Sequence, residues 1–492
     1  MLRTALCLFV CATSSTIAFG ATYHVATSGK DTNDGSSSKP WKTIQHACDA
    51  AAKGDNVLVH AGKYVGAVIV RRSMTLSAAP GEHPVIDGTG VVIPSDSAAL
   101  VLVKDLDAVT VSGFEIANYV TTNSGLVPCG ILVSGKADKI KLLGNKVHHI
   151  QNNGSSAGSI NAFGIAIYGN SKAGAITNLL IDGNEIYDTK TGNSETLTVN
   201  GNVNGFQVSN NYVHDVDNIG IDCIGFEGTS PIAGQDFARS GLVTANRIVN
   251  VTSYNNIAYH KERSADGLYV DGGSDIILER NTVTGADIGI EVTSEHSGKY
   301  AERVTVRSNL VTASNTVGLS IGGYDHTRGG TKTCTFVNNT LYGNDTKQSG
   351  CGEFQIQFNT SGNVFENNIL FATKQGVLIY SVTGAGSAIG LKDTRNLYFT
   401  LGDPTWVWNG KTYSSLPTFA KGSGGDATSL FENPSFKNIA KSDFSLAVGS
   451  PAINSGVSLS LAVRGILDFA GSSRVQGSAI DLGAYEYPTP MV

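Results

Sequence analysis

The chain has 492 residues, of which 58 are glycine, 12 are proline and 15% are charged. Its formal net charge of −6 excludes the broadly basic surface that binding to nucleic acids or anionic membranes requires. We therefore expect neither a nucleic-acid nor a membrane partner, and a ligand that is uncharged or mildly charged.

The first residues have the character of an export signal. Residues 1–20, MLRTALCLFVCATSSTIAFG, contain one arginine, then an apolar stretch, then the small residues Ala18 and Gly20. This order predicts a secretory signal peptide that is cleaved near Gly20. No later stretch reaches the ~20 apolar residues that a membrane span needs. We therefore expect a secreted protein, either extracellular or periplasmic.

Residues 21–80 contain the first predicted helix. Within them, WKTIQHACDAAA (residues 41–52) has apolar side chains at helical spacing, and NVLVHAGKY then begins the strands. We predict that this helix caps the first coil of the strand repeat that follows, because an uncovered end would expose unpaired backbone groups.

Residues 81–396 are dominated by an asparagine-centred repeat. Each copy has alternating apolar residues, an asparagine, any residue, and then Ile, Val or Leu, as in KLLGNKV, ILERNTV and FENNIL. After several copies a second strand follows with the form Gly-apolar-x-apolar, such as GIEV. The repeated asparagines, 27 to 39 residues apart, are Asn145, Asn184, Asn211, Asn246, Asn281, Asn309, Asn339 and Asn368.

This repeat predicts an all-β protein whose fold is a parallel β-helix, a single-stranded solenoid. One asparagine per coil can hydrogen-bond to the next at the ~4.8 Å spacing of adjacent strands, while alternation directs Ile, Val and Leu into a continuous core. The alternative is an all-β sandwich with irregular asparagine turns. Residues 397–492, where the repeat fades, are predicted to form the last coils and a C-terminal capping segment.

Five cysteines lie beyond the predicted signal peptide. Their odd number and wide spacing match neither a disulfide framework nor a zinc site. We expect buried thiols, with a Cys334–Cys351 disulfide as the alternative. The five are Cys48, Cys129, Cys223, Cys334 and Cys351.

Both ends of the chain resemble those of a known group of proteins. YHVATSGKDTNDGSSSKPWKTIQHACDAAAKGDNVLVHAGKY resembles the opening of secreted right-handed parallel β-helix proteins of the polysaccharide lyase and glycoside hydrolase type, and FENPSFKN, DFSLAVGSPAINSG and DLGAYEY resemble their ending. The resemblance covers nearly the whole chain and implies the fold and secretion. Lyases, hydrolases and epimerases share these ends, so the resemblance leaves the reaction open.

Charge and long loops concentrate between about residues 220 and 330. Loops that a coil does not need for stacking often serve binding, so we predict that this face binds a carbohydrate substrate. The predicted substrate-binding residues are Asp222, Glu227, His260, Lys261, Arg263, Asp266, Tyr269, Glu295, His296, Tyr324, Asp325 and Arg328.

Asp271 and Glu291 are the predicted catalytic pair. Alternation in GLYVD and DIGIE turns both carboxylates outward. In one strand register they are direct neighbours, roughly 5 Å apart as in retaining glycosidases, and Gly289 lies opposite Tyr269 and leaves space for a sugar ring. In the other, Gly267 aligns with Gly289, Tyr269 pairs with Glu291, and the carboxylates are ~8 Å apart, nearer the inverting range.

GLYVD followed about one coil later by DIGIEV resembles the acidic pair of the β-helical β-xylosidase family of glycoside hydrolases. This resemblance implies that Asp271 is the nucleophile and Glu291 the acid/base. No metal or cofactor is expected for such a hydrolase.

Two other functions remain open. A lyase would bind Ca²⁺ through Asp222, Asp266, Asp271 and Glu291 and use Lys261 or Arg328 as the base. ADGLYVD resembles a lyase pattern in which Lys closely follows ADG, and Asp271 at that position favours hydrolysis. The third possibility is a non-catalytic glycan-binding β-helix whose carboxylates are solvated.

Overall fold

The computed structural model describes residues 20–91, 93, 99–384 and 390–488. The predicted signal peptide, apart from Gly20, lies outside the described residues. Among the described residues, no helix has the length and apolar character to span a membrane.

The fold is the predicted right-handed parallel β-helix, in which most coils add one strand to each of three stacked sheets, A, B and C, and several coils add two strands to sheet A. The order within a coil is sheet B, then sheet A, then sheet C. Pairing between coils is parallel throughout. Apolar residues facing inward from all three sheets form one continuous core along the axis.

Sheet A has 17 strands. They are Thr22–Val25, Asn56–Val59, Thr75–Ala78, Thr110–Ser112, Ala137–Asp138, Lys141–Leu143, Ile176–Asp182, Val203–Ser209, Arg239–Thr244, Ser274–Glu279, Tyr300–Glu302, Thr305–Arg307, Gly330–Lys332, Thr335–Val337, Thr360–Ser361, Val364–Glu366 and Lys392–Thr394.

Sheet B has 13 strands, and only its last pair is antiparallel. They are Val68–Val70, Ala99–Lys104, Cys129–Ser134, Phe163–Gly169, Leu197–Gly201, Ile221–Ile224, Asp266–Asp271, Ile288–Thr293, Val317–Ile321, Phe354–Ile356, Val377–Ser381, Thr405–Trp408 and Lys411–Tyr413.

Sheet C also has 13 strands. They are Lys63–Val65, Val85–Asp87, Glu115–Thr121, Lys146–Asn152, Glu185–Tyr187, Tyr212–Val216, Arg247–Val251, Thr282–Thr284, Leu310–Thr312, Thr340–Tyr342, Ile369–Ala372, Leu397–Thr400 and Leu430–Phe431. A separate antiparallel pair joins Phe436–Asn438 to Asp443–Leu446.

The asparagines stack in one buried row at the corner between sheets A and C, which we call the asparagine row. The Asn281 amide donates to Asn309 Oδ1 at 3.0 Å and accepts from Asn246 Nδ2 at 3.0 Å. The same bond links each predicted asparagine from Asn145 to Asn368 to the next. The row continues to Asn396, at 3.2 Å from Asn368, which the repeat pattern did not include.

The N-terminal helix, Ile44–Ala50, is shorter than the predicted segment of residues 41–52. Thr43 caps its start by accepting a hydrogen bond from the His46 N–H, and Ile44, Ala47 and Cys48 are buried in the core. The other helices are Leu416–Ser423 and Leu461–Arg464, with single 3-10 turns at Ser253–Asn255, Ile257–Tyr259 and Ile439–Lys441.

Part of the C-terminal segment folds back along the side of the β-helix. Arg474 and Glu486 form a fully buried ion pair at 2.7 Å, and Arg474 also donates to Ser308 in a middle coil. All five predicted cysteines are free thiols, so the alternative of a Cys334–Cys351 disulfide is wrong.

Candidate active site

Asp271 and Glu291 are not direct neighbours in sheet B. The strand register places Tyr269 opposite Glu291 and Asp271 opposite Thr293. The first expected register is therefore wrong and the second is confirmed. One strand and two residues separate the carboxylates, which corresponds to about 8 Å between the two Cα atoms.

Glycine packing explains this register. Gly289 lies beside Gly267, and a Cβ on Gly289 would be 2.3 Å from the carbonyl oxygen of Gly318 in the next coil. Only glycine permits so close an approach of two backbones. Gly289 therefore serves coil stacking, and the expectation that it leaves space for a sugar ring opposite Tyr269 is wrong.

A single row of outward side chains crosses sheet B at this point. Thr198, Asp222, Tyr269, Glu291 and Ser320 occupy directly paired positions on five successive strands. Their strand neighbours point into the core, but loops also cover the outward side. Only 2% of Asp222, 4% of Asp271 and 9% of Glu291 is exposed to solvent. These carboxylates are therefore buried rather than solvated.

Seven carboxyl groups meet here, and we call them the acidic cluster. Six of them raise the pKa of at least one other member through their charge, and the seventh, Asp266, has its own pKa raised by burial and then by the charges of Glu291, Asp222 and Glu295. Its members are Glu195, Asp222, Glu227, Asp266, Asp271, Glu291 and Glu295.

Burial and mutual repulsion keep protons on several members of the cluster, including Glu195 and Glu291. Burial, followed by the charge of Glu227, raises the pKa of Glu195 to about 8. Burial is the largest influence on Glu291 and raises its pKa to about 7, although hydrogen bonds from Ser320 Oγ at 2.7 Å and Gln357 Nε2 at 3.1 Å favour the ionised form. Burial and Glu295 raise the pKa of Asp271, while the Glu295 N–H donates to its Oδ1 at 2.8 Å.

Several polar atoms at the cluster are buried with no hydrogen-bond partner among the described residues. They include Asp222 Oδ1, Asp266 Oδ1 and Thr293 Oγ1. A buried acceptor without a donor costs about 1–3 kcal/mol. A ligand rich in hydroxyl groups would supply the missing donors.

Of the twelve predicted substrate-binding residues, three lie on the loop of residues 252–265. His260 is exposed with left-handed backbone (φ 51°). Lys261 donates to Asn255 Oδ1 at 3.0 Å, and Arg263 pairs with the buried Asp287 at 3.2 Å. None of the three is among the charged groups that shift the pKa of Asp271 or of Glu291.

The remaining predicted residues surround the cluster or belong to it. Arg328 lowers the pKa of Glu295 and lies 4.6 Å over the ring of Tyr324, which is half exposed. Asp325 is half-buried and accepts hydrogen bonds from Thr327 at the turn before Arg328. Arg328 therefore supplies a positive charge that acts on the acidic cluster through Glu295.

One group in the described part of the chain has the spacing of a metal site. Ligand atoms of Glu227, Asp271 and His296 lie within 4.8 Å of one another. Of the four residues predicted to bind Ca²⁺ in a lyase, this group contains only Asp271. Its imidazole also departs from the oxygen ligands that Ca²⁺ prefers, so the set suits a transition metal better.

Sequence reasoning missed several residues of the site. Glu195 precedes the strand Leu197–Gly201, one coil before the loop-rich region, and that strand lacks the leading glycine of the pattern. Ser320 and Gln357 hold Glu291 from the following coils. Tyr259 lies in the loop, adjacent to the predicted His260. Burial raises its pKa, and the charges of Glu195 and Asp266 raise it further. Strand register was the signal needed to find them.

A cavity of about 470 Å³ adjoins the cluster on the N-terminal side. Glu195 and Glu227 form its wall toward the cluster, and Leu132, Phe163 and Tyr168 supply apolar surface.

Comparison of the sequence with known proteins finds one family model and one relative that matches most of the chain. Residues 27–69 match a family model described as a protein of unknown function (DUF1565). The uncharacterized protein YwoF of Bacillus subtilis (strain 168) is 36% identical over 439 residues, which cover 87% of this chain and 91% of YwoF.

Among solved structures, the complex of XylC with xylose superposes with a TM-score of 0.55 at 12% identity, covering 94% of this chain and 98% of XylC. Pectate lyase Pel9A gives a TM-score of 0.48 at 17% identity, covering 96% and 97%. The likeness to XylC shows that the two proteins share the parallel β-helix fold.

Proposed function

This chain belongs to the same family as Bacillus subtilis YwoF, and we propose that it is a secreted carbohydrate-active enzyme, a glycoside hydrolase that uses Asp271 and Glu291. The observation that carries the proposal is the placement of these two buried carboxylates on one face of sheet B, one strand and two residues apart. The shared fold with XylC, whose solved structure is a complex with xylose, supports a glycan substrate.

Glu291 is the general acid in this proposal. Ser320 and Gln357 both donate to Oε1, which orients the carboxyl group and leaves Oε2 to face the leaving group. A pKa of about 7 keeps a large share of the acid protonated at neutral pH, as proton donation to a glycosidic oxygen requires.

Asp271 is the general base. Burial and the charge of Glu295 raise its pKa, and the Glu295 N–H opposes this shift by donating to Oδ1, so Asp271 acts as the base in the fraction of molecules in which it is ionised. The Cα atoms of the two residues lie about 8 Å apart, and we propose that their carboxyl groups lie within the ~6.5–9.5 Å range of inverting glycosidases, which leaves room for a water molecule. Asp271 takes a proton from this water as its oxygen attacks the anomeric carbon. The bond to the leaving oxygen breaks as Glu291 protonates that oxygen.

Product analysis on neutral and uronate-containing polysaccharides tests the proposal. We expect new reducing ends with no unsaturated product, and activity reduced to background in the Asp271→Asn/Glu291→Gln double variant. Asp275→Asn is the matched control, because Asp275 lies on sheet A and pairs with Arg303 at the surface. A product absorbing at about 235 nm would show elimination and contradict hydrolysis.

A metal-dependent lyase is the second candidate, favoured by the Glu227–Asp271–His296 group. Its base would be Arg328, because Lys261 is hydrogen-bonded to Asn255 away from the cluster. Activity that disappears with a chelator and returns with a divalent cation would support it. Tight glycan binding with no turnover would instead support a non-catalytic binding protein.

A further inference from the structure

We propose that the cavity beside the acidic cluster is a distal sugar subsite, and that the substrate is an uncharged glycan chain lying along sheet B. This inference rests on the proposed hydrolase function, since it places the remainder of the chain that Asp271 and Glu291 would cleave. It assigns a binding role to Leu132, Phe163, Ala166 and Tyr168, which the catalytic mechanism does not use.

The first step is the continuity of one side-chain row. Leu132 pairs with Ala166, and Ala166 with Thr198, in the same register that continues through Asp222 and Tyr269 to Glu291. Ala166 is therefore four strands from Glu291 on one face, about 19 Å along the helix axis. Such a span fits a chain of several sugar rings rather than a single ring.

The second step is the chemistry of the cavity walls. Phe163 and Tyr168 meet edge to face with ring centroids 5.9 Å apart, and Leu132 adds aliphatic surface. Aromatic and aliphatic walls suit the apolar face of a sugar ring. At the rim, Ser194 Oγ donates to Asn161 Oδ1 at 2.8 Å, which holds polar groups in place for ring hydroxyls.

The third step is charge. Glu195 and Glu227 are the charged groups among the described residues that line the cavity, and no Lys or Arg is among them. A uronate carboxylate placed there would lie beside these two acidic groups, with no cation in the described lining to pair with. The subsite therefore favours an uncharged ring over a uronate.

The experiment measures kcat/KM on length series of xylo-, gluco- and galacto-oligosaccharides, with oligogalacturonides as the anionic counterpart. For the wild type, kcat/KM should rise with length until the chain reaches the cavity. Ala166→Trp, which fills the cavity, and Tyr168→Ala, which removes a wall, should each abolish this rise and cost about tenfold on the longest substrates. Asp275→Asn on sheet A is the control.

Calorimetric binding to the Glu291→Gln variant separates this proposal from the proposed function. In one outcome, the wild type turns over no substrate, yet Glu291→Gln binds long neutral chains and Ala166→Trp weakens that binding about tenfold. The hydrolase proposal then fails, and the subsite proposal is supported. Equal losses on short and long substrates, binding of oligogalacturonides as tight as that of neutral chains, or no binding of any neutral series would overturn the subsite. Thermal unfolding checks that each variant is folded. If Ala166→Trp does not fold, the Tyr168→Ala variant provides the test of the subsite.

Discussion

Two rows of stacked side chains have the same spacing from coil to coil but opposite energetic effects. In the asparagine row, each amide is both a donor and an acceptor, so every coil satisfies the next. In the row through Asp222 and Glu291, the stacked groups belong to a crowded cluster of acids that raise one another's pKa. Identical geometry therefore stabilises the fold where side chains are self-complementary, and produces proton-holding groups where they are not.

The largest effect should come from Glu291→Gln in the acidic row. Loss of the acid should lower kcat/KM by about 10²–10⁴-fold. The melting temperature should stay level or rise, because the change removes a buried charge from a repulsive cluster. Steady-state kinetics and thermal unfolding measure both quantities. A marked fall in melting temperature would show that Glu291 stabilises the fold, as the asparagines do, and would contradict the contrast between the two rows.

The converse change, Asn281→Ala, should lower the free energy of unfolding by about 3 kcal/mol, because it leaves several buried partners without a hydrogen bond. Asn281 donates to Asn309 and to the Val243 carbonyl and accepts from two nitrogens of Asn246. Urea unfolding measures the loss, and Asn433→Ala, at an exposed turn, is the control. Equal effects of the two variants would argue against a structural role of the row.

The acidic row should also make stability depend on pH. Glu291 and Glu195, with pKa values of about 7 and about 8, keep protons in the folded protein that the unfolded chain releases near the ordinary value of 4.5. The free energy of unfolding should therefore fall as pH rises from about 4.5 to about 8 and then level off.

Melting temperatures across this pH range measure the slope, and Glu195→Gln should reduce it. A matched Asn309→Ala variant should shift the whole curve without changing its slope, since an amide does not titrate. If Glu195→Gln leaves the slope unchanged, the cluster does not hold protons as described.

The smallest effect should come from His260→Asn. His260 is exposed, and asparagine tolerates its left-handed backbone, so kcat/KM should change by less than about twofold. A tenfold loss would place His260 at the substrate after all and would enlarge the active face beyond sheet B.

The regular part of the fold was open to prediction because it repeats. The asparagine corners and the inward Leu268 and Val270 follow from periodicity, and both are buried as expected. The strand register also had a usable signal. Aligning Gly267 with Gly289 satisfies the backbone contact that excludes any side chain, whereas aligning Asp271 with Glu291 does not.

The loops were not open to prediction in the same way. Lys261 and Arg263 carry charges typical of a binding face, yet Lys261 is held by Asn255 of its own loop and Arg263 by Asp287 of the next coil. Glu195 belongs to an earlier coil and reaches the cluster only through the stacking of strands. The contacts of Lys261 and Arg263, by contrast, depend on loop conformations that no repeat dictates.

Hydrolysis by the acidic row can be tested most directly by cleaving a neutral oligosaccharide in water enriched in heavy oxygen. We predict that the heavy oxygen enters the new reducing end, in the inverted anomeric configuration, and that Asp271→Asn abolishes its incorporation. Release of an unsaturated fragment without heavy oxygen would contradict hydrolysis, and retained configuration would contradict the base role of Asp271.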